Sequence, residues 1–531
     1  MITSLDITSA IEYATQEVID TFDFSKQYDM DELKEVVLTQ INGYIDEHNV
    51  VCDKGNKWKY PDRLPNLSVA MLIQKTHIVK NVSWLGNNDE YCYMCFYEDS
   101  GENEGLYTWN DNVFKKIVYE YKAGAVGKDF EEIKAYLGAH AEYVTPSNDP
   151  DLIAVNNGIF DYKTKQLLSF SPDYVFTAKS RVNYVSNAVN PHYTMHDGLD
   201  WDVDTWFGTL SDDPDIVKLL WEVVGAIIRP HVRWDKMVCM YSQKGMNGKG
   251  TLCELMKQLC GEGSYAAIPI SRFGDDKMLV QLITATAVIT DENATTDFTR
   301  NAENLKSVIT GDSISIDRKY KDSITFKPSV VVVQSINALP RTADTTDSMY
   351  RRFLIIPFDK TFRGVERKYI KADYLHRKEV LEYVMCKVLN TDYYNFSEPG
   401  ACDEMLDEYK NFNDPIRQFV DEMLPLFKWN LIPYKFLWDL FCGWKKENNV
   451  GDHLGKKTVL EKIRQIIASD YAGEWDCVMN QRVSKTNMSG AERLIYTYHL
   501  SDWMAPNYKG SDVDKICLPA LASKYDGILR L

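Results

Sequence analysis

The chain has 531 residues, of which 45% are hydrophobic and 26% charged, and its formal net charge is −17. This length and apolar content suit roughly three or four domains with ordinary cores, which excludes a tail or a fibre. No stretch approaches the roughly 18 uninterrupted apolar residues of a membrane span, so we expect no membrane partner. The acidic balance excludes a protein that coats nucleic acid with a basic surface, because phosphate contacts need clustered lysine and arginine.

The amino-terminal region combines helices with short strands and offers no recognisable chemistry. A Pro-, Asp- and Asn-rich stretch, Val189–Asp204, is its best boundary with the rest of the chain. Apolar periodicity predicts helices within Met1–Arg63, at Val113–Tyr121 and at Phe130–Leu137, strands at Tyr91–Tyr97 and Leu106–Trp109, and a strand, turn and strand over Asp151–Pro172.

The eleven cysteines are scattered and give no metal pattern. Only Cys92 and Cys95 form a C-x-x-C, and they alternate with aromatic residues in a way that predicts a strand. Because no second pair lies near enough to complete a zinc site, buried free thiols in a reducing compartment are the favoured interpretation.

The most informative segment is Met237–Thr251, where an apolar strand enters a glycine-punctuated loop that carries a lysine. Such a loop predicts a phosphate-binding site. Gly245 and Gly248 permit a tight turn, Lys249 supplies a positive charge, and the helix opened by Thr251 favours anions through its dipole.

The loop departs from the pattern G-x-x-x-x-G-K-[ST] at two positions. Gln243 stands at the first glycine, and Gly250 replaces the serine or threonine that binds magnesium. A lysine after a glycine-rich turn is otherwise often only a solvated loop, so the segment needs support from elsewhere in the chain.

Polar residues after two later apolar strands supply that support. The run Thr284–Thr290 ends in Asp291 and Glu292, which we assign to the metal shell and to polarising the attacking water. The run Ser329–Asn337 ends in an amide that could hold that water, although asparagine also commonly caps a turn.

An arginine pair follows in the predicted helical stretch Asp347–Phe353. A guanidinium suits the spread charge of a transferring phosphoryl group, so Arg351 and Arg352 are candidates, although paired arginines more often form surface salt bridges. Further helices are predicted at Pro214–Ile228, Tyr369–Leu389, within Leu431–Asn449 and at Lys457–Ala468, with a linker at Asn411–Pro415 and a strand at Arg493–Tyr498.

Taken in order, these motifs resemble the superfamily 3 helicases of the AAA+ class, and among them the phage, plasmid and poxvirus-type primase–helicases. The resemblance is carried by G-M-N-G-K-G-T at 245–251, T-D-E-N at 290–293, L-K-S-V-I-T-G-D at 305–312, D-R-K-Y-K-D-S-I-T-F-K-P at 317–328, Q-S-I-N-A-L-P at 334–340 and D-S-M-Y-R-R-F-L-I-I-P-F at 347–358. Two flanking segments also look like the family, V-N-N-G-I-F-D-Y-K-T at 155–164 and I-P-Y-K-F-L-W-D-L-F-C-G-W at 432–444.

The resemblance implies an α/β fold in which an AAA+ P-loop core with a central parallel sheet follows an α+β region and precedes a winged-helix-like domain. We expect an amino-terminal region of unknown role at 1–90, an α+β domain at 91–204, the ATPase and helicase core at 205–410, and a DNA-binding domain at 411–531.

The resemblance also implies a ring, usually a hexamer, that binds ATP and Mg²⁺ between subunits and acts on single- and double-stranded DNA in the bacterial or host cytoplasm. Lys249, Asp291 and Glu292 would act in one subunit, Asn337 would sense the phosphate or hold the water, and Arg351 or Arg352 would reach in from the next. The residues expected to bind ATP are Gly245, Met246, Asn247, Gly248, Lys249, Gly250 and Thr251, and the metal is expected on Asp291 and Thr251.

Arg318, Lys319 and Lys321 fall where the family has a hairpin that lines the central pore, although a solvated turn would look the same. A basic pore lining would reconcile DNA binding with the acidic net charge. No carboxylate cluster marks a fused primase, since Asp29–Asp31 lies in an acidic helical stretch, so a separate primase or polymerase and initiator proteins are expected partners.

Two other functions remain open, and a third lacks its residues. An initiator or loader would use ATP to assemble on origin DNA without processive unwinding. A protein-remodelling machine would have ATPase activity that DNA does not stimulate. A nicking initiator would need two histidines flanking one residue, and His192 and His196 are spaced differently.

Overall fold

The structure is a computed structural model that describes residues 6–84, 92–293, 298–299, 302–318, 321–342, 346–448 and 454–531. It divides into two compact units, Met1–Asp403 and Glu404–Leu531. Within the described ranges, no helix combines the length and apolar character needed to cross a membrane.

The first part of unit 1 packs five helices around one face of a four-stranded sheet. Helix α2 buries Leu33, Val37, Ile41 and Ile45, whose spacing of four residues forms one apolar stripe. The elements are α1 (Ile7–Thr21), α2 (Met30–Val51), α3 (Asn66–Thr76), β1 (Val79–Ser83), β2 (Cys92–Tyr97), β3 (Tyr107–Thr108), α4 (Asp111–Tyr121), α5 (Gly127–His140) and β4 (Glu142–Val144), with sheet order β3-β2-β1-β4.

The predicted strand that carries the C-x-x-C is confirmed. Cys92 and Cys95 lie on β2 as free thiols, and Cys95 is fully buried. Among the eleven free cysteines, Cys477 in unit 2 is the exposed one.

A second group of elements leads to the central sheet. The stretch predicted as strand, turn and strand forms three antiparallel strands. The chain turns again after β6, and β7 pairs with β6 as β5 does. The elements are β5 (Leu152–Val155), β6 (Gly158–Asp161), β7 (Gln166–Leu168), β8 (Tyr193–Thr194), β9 (Asp200–Trp201), α6 (Val203–Gly208) and α7 (Pro214–Ala226).

A buried arginine follows α7 and joins these elements to the end of unit 1. The Arg229 guanidinium lies 3.6 Å from the Tyr162 ring centroid and donates to the Tyr393 carbonyl oxygen at 2.8 Å. Aromatic faces and one carbonyl oxygen thereby offset part of the cost of burying its charge.

The centre of unit 1 is a five-stranded parallel sheet. The expected mixed α/β chain with a parallel sheet is therefore confirmed. The elements are β10 (Met237–Tyr241), α8 (Lys249–Cys260), β11 (Tyr265–Ala266), α9 (Asp276–Leu279), β12 (Ala287–Thr290), β13 (Phe298–Thr299), α10 (Ala302–Thr310), β14 (Ile314–Arg318), β15 (Lys321–Phe326), β16 (Val331–Ile336), β17 (Arg341–Thr342), α11 (Asp347–Tyr350), β18 (Phe353–Pro357), α12 (Lys368–Ala372) and α13 (Lys378–Leu389).

The order of this sheet, β11-β12-β16-β10-β18, determines which loops meet. Strands β10, β12 and β16 are buried along their whole length, as expected for the mostly apolar strands of a parallel sheet. Because all five strands are parallel, the residues after β10, β12 and β16 lie at one edge of the sheet. Helix α11 is shorter than predicted, since the chain becomes extended again at Phe353.

Unit 2 has its own core around a three-stranded antiparallel sheet of order β19-β21-β20. Its strand β21 pairs with both neighbours. The elements are α14 (Gly400–Asn413), which contains the boundary, α15 (Pro415–Met423), β19 (Leu431–Pro433), α16 (Tyr434–Glu447), α17 (Lys456–Asp470), β20 (Trp475–Arg482), α18 (Leu494–Thr497), α19 (Val513–Ile516) and β21 (Lys524–Arg530).

Two sequence predictions are wrong in this part of the chain. The expected linker Asn411–Pro415 is the end of α14 followed at once by α15, because the Asp414 carboxylate caps the new helix by accepting from the Ile416 backbone N–H at 3.0 Å. The expected strand Arg493–Tyr498 is the short helix α18, in which the adjacent residues Leu494 and Ile495 are both buried. Alternation in a strand would have placed them on opposite faces.

Candidate functional site

The loop after β10 folds back on itself before α8 begins. Met246 and Gly248 have φ values of 59° and 90°, so the left-handed positions fall on these two residues and not on Gly245. The Asn247 side chain donates to the Lys244 carbonyl oxygen at 2.6 Å and accepts from the Lys249 backbone N–H at 3.3 Å. The loop is therefore fixed by its own contacts.

Position 248 requires glycine. It is the N-cap of α8, and a Cβ there would lie 2.8 Å from Leu210 Cδ2 in addition to its unfavourable φ. Helix α8 consequently starts at Lys249 with its N-terminus at the loop, where backbone N–H groups and the helix dipole attract anions.

Lys249 is buried, with 4% of its surface exposed, and its ammonium group is held by oxygen atoms from two strand ends. It donates to the Ile336 carbonyl oxygen at 2.7 Å, to Asn337 Oδ1 at 2.8 Å and to the Ser242 carbonyl oxygen at 3.3 Å. Burial lowers the pKa of Lys249 to about 8, which the nearby Asp291 charge only partly opposes. Lys249 and Asn337 thus form one cluster.

Asp291 lies at the same edge, beside the first turn of α8. A Cβ added at Gly250 would be 3.1 Å from Asp291 Oδ1, so the missing side chain at Gly250 is what lets the carboxylate approach the helix this closely. Lys371 on α12 forms an ion pair with Asp291, with 3.6 Å between Nζ and Oδ2. Glu292, the next residue, is exposed.

Asn293 holds the acidic turn in place, a role that sequence reasoning did not assign. Its Nδ2 donates to Gln334 Oε1 and to the Ser335 carbonyl oxygen, both at 3.0 Å, and its Oδ1 accepts from the Ile270 backbone N–H at 3.0 Å. The T-D-E-N motif supplied the signal, since its last residue is an amide that can donate and accept at once.

The arginine pair lies at the opposite edge of the sheet. The Arg352 carbonyl oxygen accepts from the Met237 backbone N–H at 2.7 Å, and Met237 is the first residue of β10. A five-residue strand spans about 17 Å, so neither arginine lies beside the loop of its own chain. Arg352 donates to Ser348 Oγ on α11 at 2.8 Å, whereas Arg351 is exposed.

Strands β14 and β15 form an antiparallel hairpin, with the backbones of Arg318 and Lys321 paired at its tip. Lys319 lies outside the described residues, as do the side chains of Arg318 and Lys321, so the predicted DNA contacts stay predictions. A cavity of about 720 Å³ adjoins the hairpin root at Phe326.

A cavity of about 920 Å³ opens beside the phosphate loop. Met246, Gly248 and Thr251 line one side of it, and Trp206 and Phe362 are among its apolar walls. Its size and mixture of aromatic and polar groups suit a nucleotide-sized ligand. Sequence reasoning missed these walls, because residues far apart in the chain with no shared motif form them.

The donor atoms at the loop fit a magnesium ion that arrives with a phosphate. Mg²⁺ is commonly bound by one or two carboxylates, with phosphate and water oxygens completing the shell. Asp291 offers one carboxylate beside the first turn of α8, and Thr251 in that turn lines the cavity. No cluster of three His, Cys, Asp or Glu residues in the described ranges could hold a metal by itself.

Three family models match the chain. Residues 67–225 match the model described as D5 N terminal like, residues 240–352 match a family of unknown function (DUF5906), and residues 411–498 match the model described as Poxvirus D5 protein-like.

Solved structures of the NrS-1 C-terminal region are distantly similar. An apo structure of region 305–718 is 12% identical, covers 79% of this chain and 96% of that one, and has a TM-score of 0.43. An A-form apo structure is 14% identical, covers 75% and 84%, and has a TM-score of 0.41.

Proposed function

The chain is a member of the phage- and poxvirus-type primase–helicases, and on that premise we propose that it is an ATP-dependent replicative DNA helicase of a phage or mobile genetic element. The observation that supports this most directly is the cluster at the sheet edge. Lys249, Asn337 and Asp291 come from three separate motifs and meet beside the N-terminus of one helix.

ATP would lie with its phosphates on the loop Gly245–Thr251. Loop N–H groups and the Lys249 ammonium would bind them, and the nucleoside would extend into the cavity of about 920 Å³. Asp291 and Thr251 would hold Mg²⁺, which neutralises charge developing on the phosphates. Glu292 would orient and deprotonate the attacking water, with Asn337 positioning that water.

The position of the arginine pair supports a site that two subunits share. Arg351 and Arg352 lie about one strand length from the loop of their own chain, so an arginine at the γ-phosphate would have to come from a neighbour. This geometry supports a ring, for which we propose the hexamer that the resemblance implies.

DNA would contact a small part of this acidic chain. The β14–β15 hairpin, whose sequence includes Arg318, Lys319 and Lys321, would line the ring's pore. In unit 2, helices α16 and α17 are followed by the β20–β21 pair, an order that supports a winged-helix-like DNA-binding domain in an AAA+ motor.

The central test is displacement of a labelled DNA strand with ATP and magnesium. Lys249→Ala should abolish ATP hydrolysis and unwinding, because it removes the charge that binds the phosphates. Lys257→Ala is the matched control, since Lys257 lies on the same helix two turns further along. Unwinding that survived Lys249→Ala would refute the site.

A second variant separates the motor from an initiator or loader that assembles on origin DNA without translocating. Lys319→Ala combined with Lys321→Ala should abolish unwinding while nucleotide binding persists. If unwinding were unaffected, the hairpin would not be the translocating element. An ATPase that DNA does not stimulate would favour a protein-remodelling machine.

A further inference from the structure

Lys371 is a cation at the phosphate site that none of the recognised motifs contains. It lies on α12, 80 residues after Asp291, and its Nζ is 3.6 Å from Asp291 Oδ2. The same Nζ would lie 3.5 Å from a Cβ at Gly250. Lys371, Asp291 and the first turn of α8 therefore meet at one point, next to the cavity that Lys371 also lines.

A magnesium ion on Asp291 and the ammonium group in its present position would repel each other. Mg²⁺ binds oxygen at about 2.0–2.1 Å, so an ion on the Asp291 face towards Lys371 would lie within a few ångströms of Nζ. Charges of the same sign at that separation repel strongly even in a partly solvated site. The two cations must compete for the carboxylate.

We propose that Lys371 is an exchangeable counter-ion, which holds Asp291 in the nucleotide-free protein and moves to the nucleotide phosphates when Mg²⁺ takes its place. The inference rests on the proposed ATP site. Both side chains are partly exposed, 44% for Lys371 and 31% for Asp291, so the ammonium group can leave without unfolding its surroundings. Its new partners would be the anionic oxygens in the cavity it already lines.

Gly250 makes this exchange possible. A serine or threonine at 250 would bring its Cβ within 3.1 Å of Asp291 Oδ1, and its hydroxyl would compete with Lys371 for the carboxylate. With glycine at position 250, the Asp291 carboxylate stays free of such a hydroxyl and pairs with Lys371. The departure from the usual phosphate-loop pattern and the extra lysine are thus two parts of one arrangement.

The test measures divalent-ion binding to the nucleotide-free protein, with Mn²⁺ as the probe for magnesium and electron paramagnetic resonance as the readout. Lys371→Ala should bind Mn²⁺ about two- to fivefold more tightly than wild type, the range expected for removing one exposed ion pair. In the same variant, a fluorescent ATP analogue in the presence of Mg²⁺ should bind more weakly, because the phosphates lose a cation.

Control variants separate this inference from the proposed function. Lys378→Ala removes an equally charged exposed side chain from α13 and should change neither affinity. Asp291→Asn should weaken Mn²⁺ binding, and adding Lys371→Ala to it should cause no further change. Unchanged Mn²⁺ affinity in Lys371→Ala, with binding weakened in Asp291→Asn, would overturn the counter-ion role alone. Mn²⁺ affinity that Asp291→Asn left unchanged would overturn Asp291 as the metal ligand of the proposed function.

Discussion

Lys249 carries a positive charge in a buried position, where a charge is energetically unfavourable. Its ammonium group is surrounded by carbonyl and amide oxygens, and in the part of the chain that the structure describes no carboxylate lies within hydrogen-bonding distance of it. Burying a charge on such partners is unfavourable until an anion arrives, so under the proposed function the site would be prepared for phosphate at the expense of stability.

The pH dependence of nucleotide binding follows from this environment. Burial lowers the pKa of Lys249 to about 8 from the 10.5 of the exposed side chain. Between these values the unfolded chain binds more protons than the native one, so stability from this group rises with pH from about 8 to 10.5, while the empty site loses its positive charge.

We therefore expect affinity for a fluorescent ATP analogue to be constant up to about pH 8 and then to fall towards tenfold per pH unit. Titrations between pH 7 and pH 9.5 would measure this. Lys249→Arg, whose guanidinium stays charged, should lack the fall. A flat wild-type profile would contradict the prediction.

At the residue scale, the sequence predicts which side chains lie together only when each of them follows an apolar strand. Lys249, Asp291 and Asn337 each follow an apolar strand, so parallel pairing brings them to one edge, and their proximity was predictable. The position of Lys371 could not be predicted in this way, because Lys371 belongs to no motif and lies on a helix that follows β18, the last strand of the parallel sheet. Only the packing of α12 against the start of α8 brings it to Asp291.

At the scale of elements, the phosphate loop depends on one left-handed glycine. Gly248→Ala combines a φ of 90° with a contact of 2.8 Å to Leu210, and we expect it to destabilise unit 1 by about 1–3 kcal/mol and to weaken nucleotide binding. Gly245→Ala is the matched control for stability, because no atom lies within 4 Å of its added Cβ, and its effect on the free energy of unfolding should stay within about 0.5 kcal/mol.

Thermal unfolding and a fluorescent nucleotide titration on both variants would check this difference. Equal effects of the two substitutions would mean that the loop does not need the left-handed conformation at position 248.

Elements were predicted well where the apolar period was unambiguous and poorly where local chemistry decided. The long apolar stripe of α2 predicts a helix, and the apolar runs of β10 and β16 predict buried strands. The sequence Arg493–Tyr498 alternates polar and apolar residues as a strand would, yet the adjacent residues Leu494 and Ile495 are both buried in a helix. At Asp414-Pro415, the strongest break signal in the segment starts a helix instead of a linker.

At the scale of the whole molecule, unit 2 depends on its last strand. Strand β21 is central in the β19-β21-β20 sheet, so deleting residues 524–531 removes the partner of both other strands. We expect unit 2 to unfold while unit 1, with its separate core, keeps its own unfolding transition.

Calorimetry together with limited proteolysis would detect this loss. Deleting Leu531 alone, a residue outside the strand and 72% exposed, should leave both transitions in place. Resistance of residues 415–482 to protease in the longer deletion would contradict the central role of β21.

The unequal exposure of the eleven thiols offers a reporter for the motion that a motor would have to make. Cys477 on β20 is the exposed one, so brief treatment of the native protein with a maleimide dye should mark unit 2 first, in every copy and at the same position. Dyes on neighbouring copies of an assembly would then exchange energy according to their separation, and changes in that transfer during nucleotide turnover could be followed without introducing any substitution.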